Sequence, residues 1–358
     1  MLRTMTIALA TTAASLGALV ATASVDDASA QDYVIRYASP SAITDPTQEA
    51  VQWFMDEVEA RTDGRVEFET FLGQALVQDQ DIVDAVGDGL IEMGKIYTVS
   101  YPAQLPLWQI GNLPFTHPAP YVLMNTIHGL REQFPEMDQE MEAQGVKAFG
   151  VITTGGTELV SNRELTSLED LEGLQVRARG VQALAFTAAG ASPASIPWND
   201  VYEALSRGVV DASTNYIMAV GPIRHNEVSD YFIRIGLGQA LQVEIINDAF
   251  WNSLPEDLQE IMTETMREAE ERFFREINAI AVNETDRLGN AEGADHLEFI
   301  TFPEDERQRW IEESPDFFAE WAEENAARAD TEAMVEAFRR LQEEFTEKGD
   351  ELGYTEMW

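Results

Sequence analysis

The order of strand-like and helical segments constrains the fold of this chain more than any other feature. Between residues 33 and 98, a strand, an amphipathic helix, a second strand, a second helix and a third strand follow one another. A strand–helix–strand order predicts parallel strands with helical crossovers. Residues 174–216 contain a second block of alternating strands and helices. The chain is therefore predicted to contain two α/β units.

The two blocks predict two lobes with a ligand site between them. We assign residues 31–152 to the first lobe and 153–241 to the second, and residues 242–254 return to the first. This order predicts hinge strands that cross between the lobes, and ligands of open α/β sheets bind beyond the carboxyl ends of strands. Residues 255–358 begin with one long helix, to residue 288, and we predict that this helical segment packs across both lobes.

The first 30 residues predict a secretory signal peptide. Arg3 precedes an apolar run rich in small residues, and "ASA" at 28–30 has the pattern of an Ala-x-Ala cleavage site. Cleavage near Ala30 would give a mature start near Gln31 and a periplasmic location. A membrane anchor is the alternative, although the strongly apolar part is shorter than the ~20 residues that a membrane span needs.

The charge balance excludes several classes of partner. The chain has 64 acidic and 23 basic residues, which gives a formal net charge of −41. Nucleic-acid backbones and anionic lipids both require cations on the protein, so neither nucleic acid nor a membrane surface is a predicted partner. An acidic surface with few lysines suits a salty medium that screens its self-repulsion. A halophilic or marine source is therefore a hypothesis.

The sequence contains no pattern typical of a catalytic or cofactor site. It has no cysteine, which excludes thiol catalysis, disulfides and metal sites of the cysteine type. The four histidines lack metal-ligand spacing, and neither a Walker motif nor G-x-G-x-x-G occurs. We therefore predict a binding protein rather than an enzyme, with no cofactor and no metal.

The segment "LEGLQVRARG" (171–180) places two of the few cations on a predicted strand. Strand alternation puts its aliphatic residues on one face and Arg177 and Arg179 on the other. The aliphatic face is predicted to be buried, so the two arginines share a face that is either open solvent or a ligand cleft.

This segment and the one that follows match a family pattern. "SNRELTSLEDLEGLQVRARG" (161–180) and "SPASIPWNDVYEALSRGVVDAST" (192–214) resemble the solute-binding subunits of tripartite ATP-independent periplasmic (TRAP) transporters, of the dicarboxylate-binding-protein superfamily. Weaker similarity extends over nearly all of the mature chain. The resemblance implies a periplasmic-binding-protein-like α/β fold, two-lobed, with crossing hinge strands and a long bracing helix.

The resemblance also implies a carboxylate site in the second lobe. The family's carboxylate-binding arginine corresponds to Arg177, whose planar guanidinium can meet both oxygens of a carboxylate. The family's aromatic lid corresponds to Trp198, which would cover the carbon skeleton of the ligand. Asn215 would hydrogen-bond to the same carboxylate, and Tyr216 beside it is a further candidate. A surface ion pair is the alternative role for Arg177 and for Arg179.

The first lobe is expected to supply the opposite wall. Tyr97 follows "DGLIEMGKI", where family members place a ligand-facing side chain. Phe115 of "NLPF", Ser39 and Pro40 are further candidates. Arg163 of "SNR" is interpreted as structural.

The chain departs from the family pattern at a position that concerns ligand charge. Many acid-binding relatives carry an arginine six residues before Arg163, where this chain has Thr157. A threonine cannot neutralise a second carboxylate, which favours a ligand with one carboxylate. Ala212 and Thr214 also replace the family's usual residues beside the pocket.

The resemblance implies a receptor that captures an organic acid, with a monocarboxylate favoured, and delivers it to the TRAP permease subunits in the membrane. A zwitterionic compatible solute, with its cationic group over Trp198, is an alternative ligand. A stand-alone periplasmic sensor or scavenger without a permease is a second alternative. A secreted enzyme on the same two-lobed frame is a third.

Overall fold

A computed structural model describes residues 32–117 and 119–355 of the chain. The predicted signal peptide at 1–30 and its cleavage site near Ala30 lie outside the described residues. None of the described helices is both long and apolar enough to cross a bilayer.

The described residues form eleven strands and twelve α-helices, with short 3-10 helices between them. The strands are β1 (Tyr33–Ala38), β2 (Val66–Phe71), β3 (Met93–Tyr97), β4 (Val146–Gly156), β5 (Glu158–Ser161), β6 (Gln175–Arg177), β7 (Ser192–Ala194), β8 (Ala212–Asn215), β9 (Tyr231–Arg234), β10 (Gln239–Asn247) and β11 (Glu298–Thr301). The helices are α1 (Pro46–Arg61), α2 (Ile82–Gly87), α3 (Pro120–Gln133), α4 (Glu136–Glu142), α5 (Gln182–Ala188), α6 (Val201–Ser206), α7 (Ile217–Val220), α8 (Asp248–Ser253), α9 (Glu256–Gly289), α10 (Glu304–Glu313), α11 (Phe317–Asn325) and α12 (Thr331–Leu352).

The first sheet has five strands in the order β2–β1–β3–β10–β4. Strand β1 runs parallel to β2 and β3, and the helices α1 and α2 form the crossovers that the strand–helix alternation predicts. Strand β10 is antiparallel to both β3 and β4. The apolar face of α1 is buried as predicted, with Val51, Phe54 and Val58 fully enclosed in the core. Apolar burial of this kind is the main force that fixes a helix against a sheet.

The second sheet has six strands in the order β11–β9–β5–β8–β6–β7. Strands β6, β7 and β8 are parallel to one another, whereas β5 is antiparallel to its neighbours β8 and β9. The sequence pattern did not predict β5, β9 or β11. Each has four residues, too few for alternation to distinguish a strand from a loop. Strand β6 also ends earlier than predicted, at Arg177.

The chain crosses between the two sheets twice. Thr157 separates β4 of the first sheet from β5 of the second, and residues 235–238 connect β9 back to β10. The two crossings are paired, because the Thr157 amide donates to the Gly238 carbonyl (2.7 Å) and the Leu237 amide donates to the Thr157 carbonyl (3.2 Å). These paired segments are the crossing hinge strands of a two-lobed protein. They lie a few residues from the lobe boundaries at 152/153 and 241/242 that the sequence predicts.

The long helix α9 packs against both units. It contacts α1 and β4 of the first unit, and its buried side chains Met262, Met266 and Phe273 belong to the large apolar core that includes this unit. Further along, Ala281 and Leu288 join a separate apolar cluster under the second sheet. The long helix predicted from the sequence therefore braces the two units.

Two buried tryptophans attach the C-terminal helices to both units. The Trp310 indole of α10 donates to the Ala185 carbonyl on α5 (2.9 Å), and the Trp321 indole of α11 donates to the Pro106 carbonyl in the first unit (2.9 Å). Buried indole N–H groups are costly unless they find such partners.

Candidate functional site

A cavity of about 280 Å³ lies between the two sheets. Three of its residues, Tyr97, Arg177 and Asn215, are the last residues of β3, β6 and β8. The cavity is therefore at the carboxyl ends of parallel strands, where open α/β sheets bind ligands. Six of the seven side chains predicted as site residues line it, namely Tyr97, Thr157, Arg177, Trp198, Asn215 and Tyr216.

Arg177 is the most constrained of these residues. It is only 5% exposed, its Nε donates to the Ile196 carbonyl (3.0 Å), and its Nη1 makes a long contact with Thr214 Oγ1 (3.4 Å). The guanidinium lies 5.3 Å from the centroid of the Trp198 ring. These contacts fix the direction of the guanidinium and leave the outer N–H groups without a strong acceptor.

No carboxylate in the described part of the chain forms an ion pair with Arg177. Burial and the nearby positive charge of Arg179 lower the pKa of Arg177 to about 9, so the guanidinium is still protonated at neutral pH. Removing a charged group from water is expensive unless an opposite charge accompanies it. The site therefore contains a buried cation with unsatisfied affinity for an anion.

Arg179, in contrast, is already paired. Its Nη2 lies 2.9 Å from Asp79 Oδ2 and 2.7 Å from Ser100 Oγ, and the Ser100 hydroxyl donates to the same Asp79 oxygen (2.9 Å). Both Arg177 and Arg179 line the cavity, as strand alternation predicts for two arginines on one face. The ion pair of Arg179 is shielded and lies at the cavity, so it differs from the surface ion pair that was the alternative role for both arginines.

An aromatic wall stands beside Arg177. The rings of Trp198 and Tyr216 are stacked, with centroids 5.8 Å apart and an angle of 4° between their planes. The His225 ring lies 5.6 Å from Trp198 on the same wall. Trp198 lies in the short 3-10 helix that precedes α6 and is partly buried. This arrangement offers a flat apolar surface next to a cation.

Asn215 is held in place by two hydrogen bonds. Its Oδ1 accepts from the Tyr216 amide (2.8 Å), and its Nδ2 donates to Nδ1 of His225 (2.8 Å). Burial and the charge of Arg177 lower the pKa of His225 to about 3, so the imidazole is neutral and can accept this bond. A side-chain amide has two N–H donors, so one donor of Asn215 is left for another acceptor.

The first unit and the hinge complete the cavity. The Tyr97 hydroxyl is 3.1 Å from the Ser41 hydroxyl, and Pro40 also lines the cavity. Thr157 lies at the hinge crossing, where its hydroxyl is 3.5 Å from Nε2 of Gln182. None of these side chains carries a positive charge.

The structure does not bring Phe115 to the cavity. Its ring packs edge-on against Trp310, with centroids 5.3 Å apart, and against Phe317. The backbone of Phe115 has φ of 64° and its amide donates to the Leu237 carbonyl (2.6 Å), which turns the side chain towards the C-terminal helices. The prediction that Phe115 faces the ligand is therefore wrong, because the residue packs beside the hinge. Ser39 is buried and is not among the residues that line the cavity.

Several residues around the cavity were not predicted from the sequence. Three of them contact side chains that were predicted, and each lies in a turn or a short helix and not at a strand end: Asp79, Gln182 and His225. Asp45 is different, since an Asp-Pro step before an amphipathic run is a signal for a helix N-cap, and the structure shows that cap. That signal gives no indication that the same carboxylate also contacts the second unit.

The described residues contain no cluster of three or more histidine, aspartate or glutamate side chains that could hold a metal ion. The groups that line the cavity include two guanidiniums, one carboxylate, amides, hydroxyls and aromatic rings, which are groups that can bind and orient a solute.

Comparisons with known proteins show what the chain is similar to. The sequence profile of the family described as bacterial extracellular solute-binding protein, family 7 (DctP), matches residues 38–325. The chain is 26% identical over 331 residues to the C4-dicarboxylate-binding periplasmic protein DctP of Rhodobacter capsulatus, covering 90% of this chain and 97% of the relative.

Solved structures share the fold at low identity. A TRAP solute-binding protein from Rhodoferax ferrireducens, in complex with copurified benzoate, superposes with a TM-score of 0.79 at 18% identity, covering 88% of this chain and 99% of the other. DctP6, a Bordetella pertussis extracytoplasmic solute receptor binding pyroglutamic acid, superposes with a TM-score of 0.78 at 16% identity, covering 86% and 99%.

Proposed function

The chain belongs to family 7 of the bacterial extracellular solute-binding proteins, the DctP family of TRAP receptors, and from that premise we propose that it captures a small organic acid between its two lobes. Its partner is the membrane permease of a TRAP transporter, to which the closed receptor delivers the acid. The protein acts in the periplasm after removal of a signal peptide near Ala30. It uses no cofactor and no metal, and it is not an enzyme.

One observation carries the proposal: the Arg177 guanidinium is buried without a carboxylate partner among the described residues. A ligand carboxylate would supply the missing charge and accept two parallel N–H bonds from the fork of the guanidinium. The remaining N–H donor of Asn215 would bind the same carboxylate. Lobe closure around the ligand then excludes water and strengthens these contacts.

The remaining walls define the rest of the ligand. Trp198 covers its apolar part, and Tyr97 closes over it from the first lobe with Tyr216 beside it. Thr157 stands where many acid-binding relatives have an arginine, so no second cation approaches from the hinge. A compact monocarboxylate fits this combination, and a cavity of about 280 Å³ suits a small solute.

A zwitterionic solute fits less well when its cationic group is placed over Trp198. The Arg177 guanidinium is already 5.3 Å from the centroid of that ring. A ligand ammonium on the same ring would lie close to a like charge in a poorly solvated site, which is unfavourable.

The test is to identify and measure the ligand. A native mass spectrum of the undenatured protein would reveal a copurified acid, and titration calorimetry would compare carboxylates with their neutral amides, such as benzoate with benzamide. We expect carboxylates to bind and amides to fail. Removal of one partner of a buried charge pair costs enough that Arg177→Ala should weaken binding about 100-fold.

Arg163→Ala is the matched control, since Arg163 is an exposed arginine of the same unit whose nearest carboxylate, on Asp211, is 3.9 Å away. It should bind the acid as tightly as the parent protein. If Arg177→Ala also bound as tightly as the parent, the proposed function would be wrong.

A further inference from the structure

The Arg179–Asp79 ion pair spans the cleft. Asp79 begins the short 3-10 helix Asp79–Asp81, which leads into α2 of the first unit. Arg179 lies in the loop between β6 and α5 of the second unit. The two side chains are 10% and 20% exposed, so the pair is far better shielded from water than a surface ion pair. Shielding makes the attraction stronger and makes loss of either partner more costly.

Asp79 is held in position by backbone contacts that do not involve Arg179. Its amide donates to Oε1 of Gln74 (3.1 Å), and its carbonyl accepts from the Tyr101 hydroxyl. The acceptor is therefore in place before the second unit approaches. When the lobes meet, Arg179 finds a fixed carboxylate and a fixed Ser100 hydroxyl, and little further ordering is needed.

The charged side chains that line the cavity sum to one net positive charge. Arg177 and Arg179 are the cations among the lining residues, and Asp79 is the anion. Because Asp79 neutralises Arg179, one carboxylate of a ligand would neutralise Arg177 and complete the site. A second carboxylate would be buried without a free cation and close to the carboxylate of Asp79, which is costly.

We propose that Asp79 determines how many negative charges the ligand can carry. Paired with Arg179 across the cleft, it keeps that arginine from a ligand, so the closed protein accepts singly charged acids and refuses doubly charged ones. Arg179 and Asp79 thus act as a charge filter, whereas Arg177 is the anchor. This proposal rests on the proposed function, because it concerns ligands held by Arg177.

The experiment compares acids of matched shape that differ by one carboxylate. Titration calorimetry would measure benzoate against phthalate, and pentanoate against glutarate, on the full chain. The parent protein should prefer the monocarboxylate of each pair. Asp79→Asn keeps the shape of the side chain and the backbone contacts but removes the negative charge that neutralises Arg179. It should raise the affinity for the dicarboxylate relative to the monocarboxylate by about tenfold or more.

Two further variants assign the effect. Asp81→Asn makes the same change of charge on an exposed side chain of the same 3-10 helix, outside the cavity, and should leave the ratio of affinities at the parent value. The double variant Asp79→Asn/Arg179→Gln should lose the gain, because no second cation is then available. Asp79→Ser, which keeps the same backbone contacts, is the substitute if Asp79→Asn does not fold, as judged by circular dichroism.

Each result has one meaning. An unchanged ratio in Asp79→Asn, or a parent protein that binds phthalate or glutarate as tightly as benzoate or pentanoate, would overturn the charge filter while leaving the proposed function standing. If neither the parent nor Asp81→Asn bound any of the four acids, the proposed function itself would fail.

Discussion

The hydroxyl of Tyr216 donates a hydrogen bond of 2.8 Å to Oδ2 of Asp45, across the cleft between the two units. The other oxygen of Asp45 accepts from the amide and the hydroxyl of Thr47, at 2.9 and 2.8 Å, and caps α1. One carboxylate therefore fixes the start of a helix in the first unit and holds a tyrosine of the second. Because the cap fixes the acceptor, this closing contact orders few additional groups.

Tyr216→Phe should weaken ligand binding about tenfold, because hydrogen bonds to charged groups are worth more than neutral ones. The bond crosses the cleft, so its loss should act on the closed state and appear mainly as faster ligand dissociation. Stopped-flow experiments would measure the association rate and the dissociation rate separately. Tyr202→Phe is the control, since the Tyr202 hydroxyl bonds to Glu227 within the second unit (3.2 Å). Equal dissociation rates in both variants would contradict a closing role for Tyr216.

Gly180→Ala should impede closure. Gly180 belongs to the second unit, and a methyl group there would lie 2.6 Å from Val99 Cγ2 and 2.8 Å from the Val99 carbonyl oxygen of the first unit. The backbone of Gly180 also has φ of 52°, which costs a residue with a Cβ about 1–2 kcal/mol. The lobes would have to stay further apart, so affinity should fall and small-angle scattering with ligand present should show a larger radius of gyration.

Gly173→Ala is the control that separates the steric clash with Val99 from the free-energy cost of a positive φ. Gly173 has φ of 72°, and a methyl group there would meet nothing within 4 Å. This variant should unfold at a lower temperature but bind the ligand with the affinity of the parent. If Gly173→Ala weakened binding as much as Gly180→Ala, the contact with Val99 would not control closure.

Strand ends are the part of the site that the sequence predicts well. Tyr97, Arg177 and Asn215 are the last residues of β3, β6 and β8, where parallel strands bring side chains to one edge of a sheet, and the family resemblance singles out these three. Strand alternation predicts that Arg179 shares a face with Arg177, and both line the cavity, although β6 ends at Arg177 and Arg179 lies in the loop that follows. Strand alternation accounts for the shared placement of the two arginines, whereas the roles predicted for Tyr97 and Asn215 come from the family resemblance.

Residues that depend on tertiary contacts could not be predicted in this way. Asp79 lies in the polar segment "VQDQD", which resembles an ordinary exposed turn, and it meets Arg179 only because the two units face each other. His225 holds Asn215 from a left-handed turn that begins at Arg224 (φ 62°). Phe115 shows the opposite error, because a positive φ directs its side chain away from the cavity, and "NLPF" carries no signal for that turn.

Trp198→Leu should weaken binding of an aromatic or aliphatic carboxylate about tenfold, because it removes a flat apolar cover and a ring that packs against Arg177. It should also abolish most of the ligand-induced change in tryptophan fluorescence. Trp53→Leu is a matched control, since the Arg272 guanidinium lies 5.4 Å from the centroid of the Trp53 ring, outside the cavity. That variant should keep both the affinity and the fluorescence change. If Trp53→Leu lost the fluorescence change and Trp198→Leu kept it, Trp198 would not be the ring that reports binding.

The pH dependence of stability should carry a contribution from Glu140. Its Oε2 accepts from the Leu107 amide (2.9 Å), while the Arg328 guanidinium is 4.0 Å from Oε1. Burial outweighs both contacts and raises the pKa of Glu140 to about 7. An unfolded glutamate releases its proton near pH 4.3. Between these values the folded state keeps a proton that the unfolded state has lost, so this contribution favours folding at low pH and is lost as the pH rises through about 7.

Glu140→Gln removes the titrating group and keeps an acceptor for the Leu107 amide. Buried histidines titrate in part of the same window with the opposite sign: the pKa of His225, for example, is lowered to about 3. The informative quantity is therefore the free energy of unfolding of the variant minus that of the parent. From pH 5 to pH 8 this difference should rise by about 2 kcal/mol in favour of the variant.

Urea denaturation at constant high salt would measure this difference. Glu142→Gln, on an exposed side chain of the same helix, should show no such change. A difference for Glu140→Gln that stays constant with pH would mean that this carboxyl ionises in the folded protein as readily as in the unfolded chain.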